Sequence, residues 1–367
     1  MNTFMESKFI SIAKRENNTK RGFLIVNPTQ GKHIPVSPKL SLSVFSELAN
    51  QIGGKYQGER LLFVGFAETA TAIGAQVAIT AGMPYIQTTR ESIPSAEYIF
   101  FSEEHSHATE QKLVKTDLDA IVERIDRIVF VEDELSTGKT ILNIINMIQK
   151  TYNKSFSFSV MSILNGMTEE DREKYAGIDI DFLFLEKTDR SHFEEIASGF
   201  VTKGKEYPAD RSPTEYHSVS ITGYMNARRL VDPGQYQAAC KDLAQRIIES
   251  QHITSGKRIL VLGTEEFMYP AIFTGSRIEE LGNVTRTHST TRSPISVFSE
   301  ESYPLHSRFQ LVSLYDPDRT TYLYDLDFYD KILIITDSLS DDGPGVRSLV
   351  NAAKKFSNDI TVIRWVK

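Results

Sequence analysis

Short apolar runs alternate with helix-length segments along most of the chain. Runs at Phe23–Val26, Leu61–Gly65, Ile86–Thr89, Tyr98–Phe101, Ile128–Val131 and Phe158–Ile163 read as strands, and residues 69–81 and 139–151 fit helices. Such alternation leaves few folds open: an α/β architecture with a mainly parallel sheet covered by helices. A length of 367 residues suggests two domains. Residues 206–220, EYPADRSPTEYHSVS, are polar and carry two prolines, so they read as a linker. The expected division is a first domain over 1–205, a linker over 206–222 and a second α/β domain over 223–367. A helix around 236–250 and a strand at Lys257–Leu262 restart the alternation.

The second half reads as a degenerate copy of the first. RLLFVGFAETATAIG (60–74) matches RILVLGTEEFMYPAI (258–272), and YIQTTRESI (85–93) matches THSTTRSPI (287–295). RIVFVEDELSTGKTILNIINMIQK (127–150) matches KILIITDSLSDDGPGVRSLVNAAKK (331–355). Gly65 and Gly263 are 198 residues apart, Arg90 and Arg292 are 202, and Asp133 and Asp337 are 204. Three landmarks in one order with a slow drift point to duplication. The expectation is that Arg258–Leu262 and Lys331–Thr336 are parallel strands of one sheet, with Gly263 and Asp337 at their carboxyl ends.

Residues 128–140, IVFVEDELSTGKT, concentrate the chemistry. A loop between a parallel strand and the next helix lies where α/β sheets bind ligands. Free N–H groups at a helix start attract anions. Ser136, Thr137 and Thr140 add hydroxyls, Gly138 permits a sharp turn, and Lys139 opens the helix. That describes a phosphate cradle. Glu132 and Asp133 would repel a phosphate, so they suit either a hydroxyl-rich group such as ribose or a cation. A nucleoside-triphosphate loop needs a glycine five residues before Gly138, where Asp133 stands.

Four apolar residues, an acidic pair, two residues and then Ser-Thr-Gly-Lys-Thr resemble the phosphoribosyl-diphosphate (PRPP) motif of type I phosphoribosyltransferases, a Rossmann-like fold. The resemblance implies a PRPP-dependent transferase that joins ribose 5-phosphate to a nitrogen acceptor, base or base-like, and releases pyrophosphate. It implies that Glu132 and Asp133 hold the ribose and act in catalysis, and that 136–140 anchor the 5-phosphate. The loop Ala67, Glu68, Thr69, Ala70 and Thr71, with Arg90, would carry pyrophosphate. Mg²⁺ would be held through substrate and by Glu132 and Asp133. The polar segment 102–112 corresponds to a catalytic loop, with His105 and His107 as proton donors or carriers. No cysteine or third histidine stands nearby to make these two a metal site. Lys32 and His33 are hood candidates for the acceptor. GFAETATAIG, EEHSHATEQ and Thr291-Arg292-Ser293-Pro294 further resemble the phosphoribosyltransferases of tellurite-resistance gene clusters. There a domain named for that last string, TRSP, follows the transferase, in a biosynthetic or stress-response setting.

In the second copy Asp341 and Asp342 stand where a phosphate would go. It is expected to reject PRPP and to take something less anionic, such as the acceptor or a nucleoside product, at Arg292 and Asp337. A regulatory protein that senses PRPP or a nucleotide without catalysis is the alternative class. A net charge of −7 disfavours generic nucleic-acid binding. The one cysteine, Cys240, excludes a disulfide framework and suits a reducing cytoplasm. No apolar stretch is long enough to span a membrane. A homodimer, partner proteins of the same gene cluster and pairing of the two halves within one chain all stay open.

Overall fold

A computed structural model describes residues 7–16, 21–102 and 111–367. In chain order the strands are β1 (Ser11–Lys14), β2 (Phe23–Val26), β3 (Leu61–Gly65), β4 (Tyr85–Gln87), β5 (Tyr98–Phe101), β6 (Gln111–Val114), β7 (Arg127–Leu135), β8 (Ser157–Asn165) and β9 (Ile180–Lys187). They continue as β10 (Lys205–Tyr207), β11 (His217–Thr222), β12 (Arg258–Gly263), β13 (Val284–Ser289), β14 (Ser307–Val312), β15 (Thr320–Tyr324), β16 (Lys331–Thr336) and β17 (Ile360–Val366). The chain divides into two compact units. The smaller holds 43–190 and 225–239; the larger holds 1–42, 191–224 and 240–367. These units do not follow the boundaries drawn from sequence, because contacts over long separations group the segments.

The smaller unit is built on a parallel sheet in the order β4-β3-β7-β8-β9. Ile128 to Val131 are fully buried at its centre, as are Leu62, Phe63 and Val64 beside them. Phe130 stacks on Phe158 at 6.1 Å and meets Phe66 edge-on at 5.8 Å, which seats the start of the loop after β3. β7 runs four residues past Val131, since pairing with β8 continues to Asn165. The acidic pair therefore belongs to the strand end and not to the loop. β5 and β6 form a separate antiparallel pair, and β1 pairs with β2 outside both large sheets.

The larger unit carries a second all-parallel sheet, β13-β12-β16-β17-β11. Its first four strands repeat the order β4-β3-β7-β8, so β12 and β16 are neighbours as expected, with Gly263 and Asp337 at their carboxyl ends. The fifth position is filled by β11, which precedes the other four in the chain. Leu260, Leu262, Ile332, Ile334, Val350 and Val362 make its main core, each no more than 1% exposed.

Close approach fixes one glycine of the smaller unit. Gly74 lies in the helix Thr71–Ala81, and a Cβ there would stand 2.8 Å from Gly65 Cα and 2.9 Å from the Tyr85 ring. Glycine to alanine inside a helix ordinarily stabilises by about 1 kcal/mol. Gly74→Ala is expected to destabilise by about 1–3 kcal/mol through overpacking. Denaturant unfolding checks the reversal of sign; a more stable variant contradicts the packing described.

Candidate active site

Loops leave the carboxyl ends of β3, β4 and β7, three neighbouring strands of the smaller unit. Glu132 and Asp133 are half-buried at the end of β7. Thr69 Oγ1 donates to Asp133 Oδ1 at 2.8 Å, tying the acidic pair to the loop after β3. That loop is held from behind. The Ala67 N–H donates to Thr88 Oγ1 (2.9 Å), Gln111 Nε2 donates to the Ala67 carbonyl (2.5 Å), and Thr88 Oγ1 donates to Gln111 Oε1. Ala67, Thr88 and Gln111 are all buried, so this closed set of bonds is shielded from water. The Ala67–Glu68 peptide is cis. Thr71 Oγ1 donates to the Glu68 carbonyl at 3.4 Å, and the Tyr85 hydroxyl to that of Thr71 at 2.8 Å. Burial pushes the Tyr85 hydroxyl well above its ordinary pKa, so it stays a neutral donor. Ala70 is fully buried and donates its N–H to the Phe66 carbonyl at 3.0 Å. Arg90 is half-buried beside Thr89, whose backbone exchanges bonds of 2.9 and 3.1 Å with Lys112 on β6.

Ser136, Thr137 and Gly138 turn the chain into the helix Lys139–Thr151. Gly138 has φ +75°, and a Cβ there would meet the Tyr175 hydroxyl at 2.5 Å, so both conformation and space require glycine. Tyr175 donates to the Gly138 carbonyl at 2.5 Å, and Arg190 Nη2 donates to the carbonyls of Ser136 and Gly166 at 3.3 Å each. In a trans peptide the N–H opposes the carbonyl. Pinning these carbonyls therefore turns the N–H groups of Thr137 and Lys139 toward the other side of the turn. Lys139 itself is exposed and Thr140 half-buried.

Sequence reasoning missed Gln111, Tyr175 and Arg190, which act on loops 37 to 54 residues away along the chain. It also missed two buried polar atoms at the ends of β8 and β9. Asn165 Nδ2 and Thr188 Oγ1 are without a hydrogen-bond partner among the described residues. A periodic reading carries no signal for any of these. His105 and His107 lie outside the described residues.

Lys32, His33, Arg292 and Asp337 all belong to the larger unit. Lys32 is fully buried, and its Nζ donates to the carbonyls of Glu265 (2.8 Å) and Thr290 (3.0 Å). His33 is buried with its ring edge toward Tyr324 at 6.2 Å. Arg292 pairs with Glu266 at 2.9 Å and Glu265 at 3.4 Å. Asp337 accepts from the hydroxyls of Tyr224 and Tyr315 at 2.6 Å each. Among the described residues, no helix is long and apolar enough to cross a membrane, and no three His, Cys, Asp or Glu side chains converge to hold a metal.

Residues 9–183 match the model of a family described as phosphoribosyl transferase, and residues 230–352 match the TRSP domain described as C-terminal to it. No curated protein matches the sequence. Solved structures similar to this chain include adenine phosphoribosyltransferase from Thermoanaerobacter pseudethanolicus (19% identity, 49% of this chain and 96% of that one, TM-score 0.35). The enzyme of the same name from Rhodothermus marinus is 12% identical, over 49% of this chain and 94% of that one, with TM-score 0.36. The Trypanosoma brucei enzyme in complex with AMP, pyrophosphate and ribose-5-phosphate is 11% identical, over 50% of this chain and 77% of that one, with TM-score 0.34.

Proposed function

Residues 9–183 belong to the phosphoribosyl transferase family and residues 230–352 to the TRSP family that follows it, and from that premise we propose that the protein transfers ribose 5-phosphate from PRPP to a nitrogen acceptor. The observation that carries this reading is the Thr69–Asp133 hydrogen bond. It joins the acidic pair of β7 to the loop after β3, so a ribose grip and a pyrophosphate grip stand at adjacent strand ends. In the reaction the bond from the anomeric carbon to pyrophosphate oxygen breaks, a bond to acceptor nitrogen forms, and the acceptor loses a proton. Positive charge develops on the ribosyl ring. Glu132 and Asp133 accept from the ribose hydroxyls and place negative charge beside that ring. The turn 136–140 receives the 5-phosphate. Backbone N–H groups of 68–71 and the Arg90 guanidinium meet the leaving pyrophosphate. Asn165 and Thr188 offer polar contacts for the acceptor side. His105 and His107, outside the described residues, keep the proposed role of proton donors or carriers.

The carboxylates of Glu132 and Asp133 are hard oxygen donors, which suit Mg²⁺. They would share it with substrate phosphates, where it neutralises charge on the leaving group. The proposed functional boundaries remain 1–205, 206–222 and 223–367. The test is incubation with PRPP, Mg²⁺ and a panel of purine, pyrimidine and other nitrogen bases, with release of pyrophosphate measured. Release that depends on one base is the expected result. PRPP binding without release under any base would make the protein a sensor, and no PRPP binding would end the reading.

A further inference from the structure

The larger unit has a polar site of its own. At the carboxyl ends of β12, β13 and β16 the interior changes from aliphatic to charged. Glu265 is 1% exposed and Glu266 is as deeply buried. Glu265 accepts from Ser313 Oγ at 2.5 Å and from Arg319 Nη1 at 2.9 Å, and Arg292 bridges Glu265 and Glu266. Ser313 Oγ also receives the Tyr315 N–H at 3.0 Å, and the Tyr315 hydroxyl reaches Asp337. An ion pair and hydrogen bonds thus link Arg292 through Glu265 and Ser313 to Tyr315, whose side chain carries the connection on to Asp337. Thr264 Oγ1 joins it through Tyr315 (2.7 Å) and Thr336 (2.9 Å). Lys32 pins the backbones of the two loops that carry Glu265 and Arg292.

Stability alone does not call for such a network, because well-packed apolar residues in place of buried ion pairs are commonly neutral or stabilising. Exposure is graded across the set. The glutamates are buried, Arg292 and Arg319 are 12% and 21% exposed, and Tyr224, Tyr315 and Asp337 are half-buried. The set holds three carboxylates (Glu265, Glu266, Asp337) and three cations (Lys32, Arg292, Arg319), and Asp316 adds a carboxylate 3.5 Å from Arg319. The balance is neutral to negative, which disfavours a phosphate ester. The segment matching the phosphate turn is closed as well. Asp342 is engaged by Arg347, Arg364 holds the carbonyls of Ser340 and Asp341, and Pro344 lacks an N–H. Beside Asp337, half-buried Tyr224 packs edge-on against buried Trp365 at 5.5 Å and lies 6.5 Å from buried Phe267, so Tyr224 is the one ring of this cluster that a flat ligand reaches.

We infer that the carboxyl edge of this second sheet binds a phosphate-free ligand of the nucleoside class: Asp337 takes its hydroxyl or N–H donors and Arg292 its carbonyl or ring-nitrogen acceptors. This site is separate from the PRPP reading and does not rest on it. The full chain is titrated calorimetrically with adenosine, guanosine, cytidine and uridine, and with their 5′-monophosphates. At least one nucleoside binds, and more tightly than its monophosphate. Asp337→Asn weakens that binding about 10-fold or more, as for a lost hydrogen bond to a charged group, and leaves ribose 5-phosphate binding unchanged. Tyr224→Phe removes one hydroxyl that fixes Asp337 and weakens nucleoside binding in a milder background, which covers the case in which Asp337→Asn does not fold. The inference is overturned if none of the four nucleosides binds at millimolar concentration. It is equally overturned if binding is indifferent to both variants, or if the monophosphate is the tighter ligand at these residues.

Discussion

Asp133→Asn lowers the affinity for ribose 5-phosphate by about 10- to 150-fold, the 1.5–3 kcal/mol of a hydrogen bond to a charged acceptor. Asparagine keeps the size of the side chain and removes the charge and one acceptor oxygen. Asp133 is half-buried on a strand whose fully buried residues are Ile128 to Val131, so the change acts at the site and little on the core. Thr69 can still donate to the remaining oxygen, which keeps the loop after β3 in place. Affinity for pyrophosphate alone is therefore expected to change much less. Calorimetry on both proteins with the two ligands separates the effects. Equal ribose 5-phosphate affinity in the two proteins would remove Asp133 from ribose recognition.

Acid unfolding is expected to depend strongly on His288. The ring is 1% exposed on β13, and burial lowers its pKa to about 3, with a backbone contact to His33 in partial opposition. In the unfolded chain it titrates near 6.5. Between these values the unfolded state binds the proton and the folded state does not. Stability therefore rises with pH across that window and falls as pH drops from 6.5 toward 3, by about 1.4 kcal/mol per pH unit for this group alone. His288→Leu removes that contribution. Unfolding curves at several pH values should show a shallower slope in the variant below pH 6.5; parallel slopes would mean that His288 is not held neutral.

What could be read from sequence was local and contiguous. The strand, acidic pair, hydroxyl turn and helix of 127–151 sit in one stretch, so their chemistry and order were visible together. The strand order common to the two sheets was foreshadowed because Lys331–Thr336 and Arg127–Leu135 share an apolar run followed by an acid. The reading ended β7 at Val131 since Glu132 and Asp133 break the apolar run. The backbone ladder with β8 does not depend on side-chain polarity and goes on. Arg190 and Gln111 were invisible for another reason: a side chain that binds a main-chain carbonyl leaves no pattern at the position it serves. Lys32 misled for the same reason. A lysine in a polar loop reads as a hood candidate, and here its ammonium meets carbonyls 233 and 258 positions away.

The second sheet closes by pairing β11 with β17, strands that stand at opposite ends of its chain segment. During synthesis β17 is made after both strands it joins, so β11 emerges long before it has a neighbour. The smaller unit can assemble once residue 239 is available, whereas the larger unit, begun at its N-terminal segment and at 191–224, is completed only beyond 240. β11 thus stays without its partner until late in translation, the interval in which uncovered strand edges are open to wrong pairing. The order of manufacture runs against the order of assembly, and this chain carries that delay in its topology.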